Sequence, residues 1–231
     1  RQMRIRHIKG SDEAVAISPY VIQEPEKYRG VWRKEVFGNA APLYLEVGMG
    51  MGTFIREHSF LHIDIDYIGF ELNTTVLYKS MKRYERELTE RGMSTDAADC
   101  NLRFIRNDAR FLSDYFADGE VDRIYLNFSD PWPKDKNTNK RLTSPQFLKL
   151  YDRILKKDGV MEFKTDNRGL FDYSVETLPA NGWSIRDITY DLHNDAVMND
   201  GNIMTEYEAK FSAKGNPIFK LIAARECAGA V

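Results

Sequence analysis

Short runs rich in β-branched and aromatic residues alternate along this chain with stretches of helical periodicity. That order selects a mostly parallel α/β sheet with helices on both faces, because parallel neighbours need a crossover and a helix supplies it. The strand runs are Leu43–Val47, Tyr67–Glu71, Leu102–Asn107, Val121–Phe128 and Val160–Thr165. A helix is predicted from near Thr53. A longer one is predicted from about Asn73 to Arg91, where Leu77, Met81, Tyr84 and Leu88 share one face and Asn73 and Gly92 are start and stop signals. Another opens at Ser144-Pro145 and is expected to end over Lys156, Lys157 and Gly159; a further helix fits Leu170–Pro179. Two last β runs, Trp183–Tyr190 and Ile218–Ala224, have only an irregular polar segment between them and are expected to form a C-terminal antiparallel hairpin. The expectation is a single domain over residues 1–231, in which 1–28 form a basic N-terminal arm and lead-in.

Composition narrows the function classes. Of the 231 residues, 42% are apolar and 29% charged, which excludes both a disordered chain and a membrane bundle. No stretch approaches the ~18–20 continuous apolar residues of a membrane span. The opening RQMRIRHIKG has no apolar stretch of the kind a secretory signal needs. Cys100 and Cys227 stand in no CxxC or metal spacing, so free thiols in a reducing cytosol are expected. The net charge of −2 rules out a wholly basic nucleic-acid binder and leaves room for a local basic patch. His58 and His62 lack both the glutamate of HExxH and a third ligand, so no metal site is expected.

Strand, EVGMGMG, helix is a site-building pattern. Glycines after a parallel strand let backbone approach a ligand, and the binding crevice of such a sheet lies at the strands' carboxyl ends. A dinucleotide fingerprint would need glycine at 53, where Thr53 stands. The run Glu46, Gly48, Gly50, Gly52 instead resembles the first motif of S-adenosylmethionine-dependent methyltransferases. Glu46, at the crevice end of its strand, suits a cationic amino-acid ligand. Glu71 follows at the distance of a ribose-hydroxyl acceptor. Asp108 fits two roles, a polar contact to adenine and the cap of the turn that follows it.

The fourth strand exits into Ser129-Asp130-Pro131-Trp132-Pro133-Lys134, stiffened by two prolines. A polar residue, proline and an aromatic at this place recur in enzymes that methylate nitrogen on nucleobases. EVGMGMG, Glu71, NDA at 107–109, SDPWPK with RLTSPQFL, FKTD at 163–166 and TEYE at 205–208 occur here in an order that resembles the bacterial tRNA (guanine-N7)-methyltransferase family, over roughly Arg29 to Arg225. The resemblance implies a Rossmann-like methyltransferase fold using S-adenosyl-L-methionine and acting on tRNA in the cytoplasm, as a monomer or homodimer with no obligate protein partner, no metal and no membrane. It puts Glu46, Gly48, Gly50, Gly52, Glu71, Asp108 and Asp130 at the cofactor, with Asp130 also the catalytic-site carboxylate. Lys134, Asp166, Thr205, Glu206, Tyr207 and Glu208 would surround the guanine, and Lys136, Lys140 and Arg141 would contact RNA. The chain departs from the family's usual pattern at Met51, where lysine or another polar residue is common, and in KDKNTNKR, which is less basic. Met93–Asn101 reads as an insertion.

Guanine N7 has a lone pair and no proton to remove, so the chemistry needs alignment and water exclusion rather than a general base. The base becomes cationic, so carboxylates such as Asp130 and Asp166 facing it would favour the transition state. Residues 134–141 carry a net charge of +3, and Arg1, Arg4, Arg6 and Lys9 add a cationic arm, both suited to phosphate. Two rival readings remain open: a small-molecule methyltransferase, and a non-catalytic RNA-binding module on the same fold.

Overall fold

The computed structural model describes residues 6–225. Arg1, Arg4 and Cys227 lie outside the described residues. Seven strands form one sheet: β1 (Leu43–Val47), β2 (Asp66–Phe70), β3 (Leu102–Ile105), β4 (Val121–Asn127), β5 (Leu155–Thr165), β6 (Trp183–Thr189) and β7 (Phe219–Arg225). Their order is β3-β2-β1-β4-β5-β7-β6. The first five are parallel, and β7 inserts antiparallel between β5 and β6. The order reverses at β1, where the chain leaves toward β2 on one side and β4 on the other. That switch point is where a crevice opens in sheets of this kind.

The helices are α1 (Ser11–Ile17), α2 (Thr53–Leu61), α3 (Thr74–Glu90), α4 (Leu112–Tyr115), α5 (Pro145–Ile154), α6 (Arg168–Thr177) and α7 (Glu206–Ser212). Strand alternation splits the core in two. Leu43, Leu45 and Val47 join Ile124, Leu126, Met161 and Phe163 in a buried cluster completed by Leu148 and Tyr151 of α5 and by Phe171 of α6. On the opposite face Tyr67, Leu102 and Phe104 pack with Ile55 of α2 and with Leu77, Met81, Tyr84 and Leu88 of α3. The 4-3-4 spacing of α3 is therefore the buried stripe, and Asn73 Oδ1 caps it by accepting from Val76 N–H at 3.2 Å.

Two features depart from the sequence reading. Helix α5 stops at Ile154; Leu155 already pairs with Val121, and the register jumps before Val160 meets Arg123, so Lys156–Gly159 bulge out of the ladder. Burial of Leu155 as a strand residue overrides the basic C-terminal signal after it. The segment before the last strand is not wholly irregular, since α7 lies in it. The lead-in folds as well: Val15, Tyr20 and Val21 are buried, and Val21 bridges Phe104 at the outer edge of β3. Met93–Asn101 docks here too, with the Tyr20 hydroxyl donating to the Thr95 carbonyl at 2.5 Å. No described helix is long and apolar enough to cross a membrane.

Candidate active site

Four neighbouring parallel strands end in carboxylates. Glu46 is the penultimate residue of β1, Glu71 follows β2, Asp108 lies three residues past β3, and Asp130 lies three past β4. The parallel topology alone brings these four acids to one end of the sheet.

Glu46 is buried and accepts a hydrogen bond from Asn127 Nδ2 at 2.8 Å on Oε1. Its other oxygen, Oε2, is buried with no hydrogen-bond partner. Burial pushes this carboxyl up to about 7, against the Asn127 bond and the positive charges of Lys164 and Arg56, which lower it. An orphaned buried acceptor is costly in a protein interior.

The glycine loop is built for close approach. Gly48 and Met49 N–H both donate to the Phe70 carbonyl, at 3.0 and 2.9 Å, which anchors the loop to β2. Gly50 has φ +56 and nothing within 4 Å of where a Cβ would stand, so its backbone faces open space. Gly52, at φ +67, is tight instead; a Cβ there would meet Ser80 Oγ at 2.4 Å. Behind the loop the fully buried Arg56 donates to the Met51 carbonyl and pairs with Glu87 at 2.8 Å. Sequence reasoning missed Arg56, because nothing in a helix pattern marks a buried cation whose partner is 31 residues away.

Glu71 accepts from Gly50 N–H at 3.1 Å and Asn73 N–H at 2.8 Å. Burial holds it above the usual carboxylate range, the backbone donors lower it, and nearby Asp130 raises it again. Asp108 performs the cap: Oδ1 accepts from Arg110 N–H at 2.9 Å, and Oδ2 takes the Arg110 guanidinium at 2.9 and 2.7 Å. The Arg110 bond holds this carboxyl below its ordinary value.

The backbone is strained just before the SDPWPK loop and again inside it. Phe128 has φ +52 and Trp132 φ +41, a region L-residues with bulky side chains rarely adopt. Such outliers persist where surrounding contacts over-determine them. At Trp132 Arg141 supplies such contacts, donating to the Pro131 carbonyl at 3.0 Å and the Trp132 carbonyl at 3.3 Å, with its guanidinium over the Tyr173 ring. Lys140 Nζ lies 4.8 Å from the Trp132 ring centroid. Of the expected RNA-contacting residues, Lys136 and Lys140 are exposed, as is Lys134, while Arg141 is half-buried and engaged with the loop.

Across the crevice, Asp166 follows β5. Burial raises its carboxyl, and the Tyr207 hydroxyl lies 3.5 Å from Oδ2. Thr205 caps α7 by accepting from Glu208 N–H at 2.9 Å. Tyr207 is exposed and stacks on Phe211. Glu206 is exposed and pairs with Arg83 of α3. Glu208 is completely buried: Oε2 lies 2.7 Å from Lys164 Nζ, and Oε1 accepts from Asn202 Nδ2 at 2.9 Å. Of the TEYE quartet, Glu208 therefore faces the protein interior. Lys164 and Asn127 escaped sequence reasoning; the polar residues breaking the apolar runs of β4 and β5 are the signal that could have found them.

Residues 40–221 match a family described as "Putative methyltransferase". The chain is 49% identical to the tRNA (guanine-N(7)-)-methyltransferase of Lachnoclostridium phytofermentans, covering 97% of this chain and 99% of that protein. It is 45% identical to the enzyme of that name from Geobacillus thermodenitrificans, over 96% and 98%. Among solved structures, an antibiotic-related methyltransferase superposes with TM-score 0.59 at 18% identity, covering 83% of this chain and 92% of that one. The 16S rRNA methyltransferase KamB gives 0.59 at 13% identity, over 84% and 92%. These two share the fold, and the parallel sheet with its inserted antiparallel β7 is thus a methyltransferase fold. With near-complete coverage at 43–49% identity across several bacterial relatives, the chain belongs to the tRNA (guanine-N7)-methyltransferase family.

Proposed function

We propose that this protein transfers a methyl group from S-adenosylmethionine to N7 of a guanine in tRNA, in the cytoplasm. The observation that carries the reading is the set of four carboxylates on four adjacent strand ends around a left-handed glycine loop. The orphaned Oε2 of Glu46 and the open backbone at Gly50 fit a cofactor with hydroxyl and ammonium donors. When bound, the sulfonium supplies an electrophilic methyl group. The chain's own work is to hold and align. Glu46 and Glu71 receive donors at the end of β1 and β2. The backbone of the glycine loop lets the ligand approach closely.

On the substrate side, Asp130 and Asp166 hold the base edge and offset the charge that develops on the purine as N7 is alkylated. The stiff Pro131-Trp132-Pro133 segment fixes one wall, which serves an in-line displacement that depends on alignment. Exposed Lys134, Lys136 and Lys140 neutralise phosphates. Asp108 already holds Arg110 and its own cap, so its contact with adenine would use whatever acceptor capacity those bonds leave.

The test is methyl transfer from labelled S-adenosylmethionine to unmodified tRNA, followed by digestion and identification of the nucleoside. The expected product is 7-methylguanosine at a single site. Label on free nucleosides but not on tRNA would support the small-molecule reading instead. Absence of cofactor binding would leave a non-catalytic RNA-binding module.

A further inference from the structure

Lys164 sits where the pieces of the substrate side meet. It is buried near the C-terminal end of β5, 3% exposed at its side chain. All three N–H donors of an ammonium are accounted for: Glu208 Oε2 at 2.7 Å, Asn202 Oδ1 at 3.0 Å and the Ile203 carbonyl at 3.1 Å. Asn202 closes the arrangement by donating to Glu208 Oε1 at 2.9 Å. One cation thus fixes both the 199–203 turn and the first turn of α7. Those are the segments that carry Tyr207 to within 3.5 Å of Asp166.

The same residue reaches the other wall through its backbone. The Lys164 carbonyl accepts the N–H of Phe128 at 2.9 Å, and Phe128 is the strained residue that opens the SDPWPK loop. The Phe128 ring lies 5.0 Å from that of Tyr207. Asp166 stands two residues further along the chain. A buried ammonium is expensive to desolvate, and apolar packing could hold a helix end as firmly. Directional bonds to three separate acceptors do what packing does not, namely set the position of each acceptor relative to one strand.

We propose that Lys164 is a positioning residue that sets the spacing among Asp130, Asp166 and Tyr207 by tying the 202–208 segment and the SDPWPK loop to one point on β5. The inference rests on the proposed reading of the site as the place where guanine is methylated. It also reassigns Glu208, which acts through Lys164 rather than on the base.

The experiment compares wild type with Lys164→Met, with the apolar pair Lys164→Met/Glu208→Leu, and with Asn202→Ala. The double variant removes both members of the buried ion pair together and so guards against simple unfolding. Three quantities are read: the kinetics of tRNA methylation, the Kd of S-adenosylmethionine, and hydrogen exchange over residues 199–208. In the double variant, kcat on tRNA is expected to fall about 100-fold, the loss typical of a displaced active-site wall. Cofactor Kd, read at pH 9 so that Glu46 stays ionised without the nearby Lys164 charge, is expected to change less than about fivefold, since the cofactor residues on β1 and β2 make none of these bonds. Exchange should rise over 199–208 and stay unchanged in β1–β3. Asn202→Ala, which removes one acceptor from the network, should shift turnover and exchange in the same direction by a smaller factor.

A double variant with wild-type turnover overturns the proposal, and so does one whose loss of turnover is matched by equal loss of cofactor affinity. If wild type binds cofactor but labels no tRNA, the proposed function fails. The anchor is then judged on exchange alone, where unchanged protection over 199–208 in Lys164→Met overturns it.

Discussion

Glu46→Gln separates what the fold tolerates from what the ligand needs. The Glu46 carboxyl titrates near 4.5 when unconstrained and is pushed up to about 7 by burial. The native protein therefore holds a proton that the unfolded chain has released, across the window from pH 4.5 to 7. Stability contributed by this group is highest below that window and is lost as pH rises through it. The full shift corresponds to about 3 kcal/mol of destabilisation at pH 8 in the ligand-free protein. Glutamine keeps the acceptor for Asn127 Nδ2 and cannot ionise. Ligand-free Glu46→Gln should thus match wild type at pH 4.5 and exceed it at pH 8, by about 1–3 kcal/mol after the new amide's own burial is counted. Cofactor affinity should move the other way, falling at least about tenfold at pH 8 with one charge-assisted hydrogen bond lost. In wild type, cofactor affinity should decline below pH 7, by up to about tenfold per unit, because binding has to expel the proton. Urea denaturation at a series of pH values, paired with calorimetric titration of S-adenosylmethionine, reads both. Parallel stability curves for the two proteins between pH 4.5 and 8 would refute the reasoning, as would a Glu46→Gln protein that binds cofactor as wild type does.

Other outcomes follow from the same geometry. Asp130→Ala should cut kcat far more than it weakens cofactor binding; unchanged turnover in single-turnover assays would remove it from the chemistry. Changing Lys134, Lys136 and Lys140 together to alanine should reduce the slope of log affinity for tRNA against log salt by about 2, whereas Arg141→Ala should lower turnover with a smaller change in slope, as expected of a residue that grips the Pro131 and Trp132 carbonyls. Burial drives His58 down to about 3, so the native protein resists a proton that the unfolded chain accepts below pH 6.5. Its contribution to stability is lost as pH falls from 6.5 toward 3, and His58→Phe should flatten that acid limb in urea melts. Trp132→Gly should relieve the left-handed strain and leave Tm level or higher, yet lower turnover at least tenfold, about the penalty of losing a fixed wall.

Much of the architecture is legible in the sequence. The alternation of runs gave β1 through β5 and their parallel sense, and the Asn73 cap with the Leu77-Met81-Tyr84-Leu88 stripe gave α3 almost to the residue. Helix α7 carried its own signal, Thr205 followed three residues later by Glu208, but so short a helix lay inside a polar segment and had no apolar stripe to mark it. The end of α5 is hidden for a different reason. Lys156, Lys157 and Gly159 are good helix terminators, and only the pairing of Leu155 with Val121 shows that the strand has already begun.

The sequence by itself determined which residues are acids at strand ends, because parallel topology sends every strand's carboxyl end to the same crevice. It determined the glycine loop, whose left-handed backbone few other residues adopt. Tertiary structure alone decided what those residues are doing. Glu208 and Tyr207 are neighbours in one motif, yet one is sealed against Lys164 and the other is exposed beside Asp166. Arg141 and Lys140 are adjacent cations, yet one grips the loop by its carbonyls and the other lies exposed over the Trp132 ring. Residue type fixes what a side chain can bond to. Burial and the distance to partners far away in the chain fix which bonds it makes, and no local pattern encodes those distances.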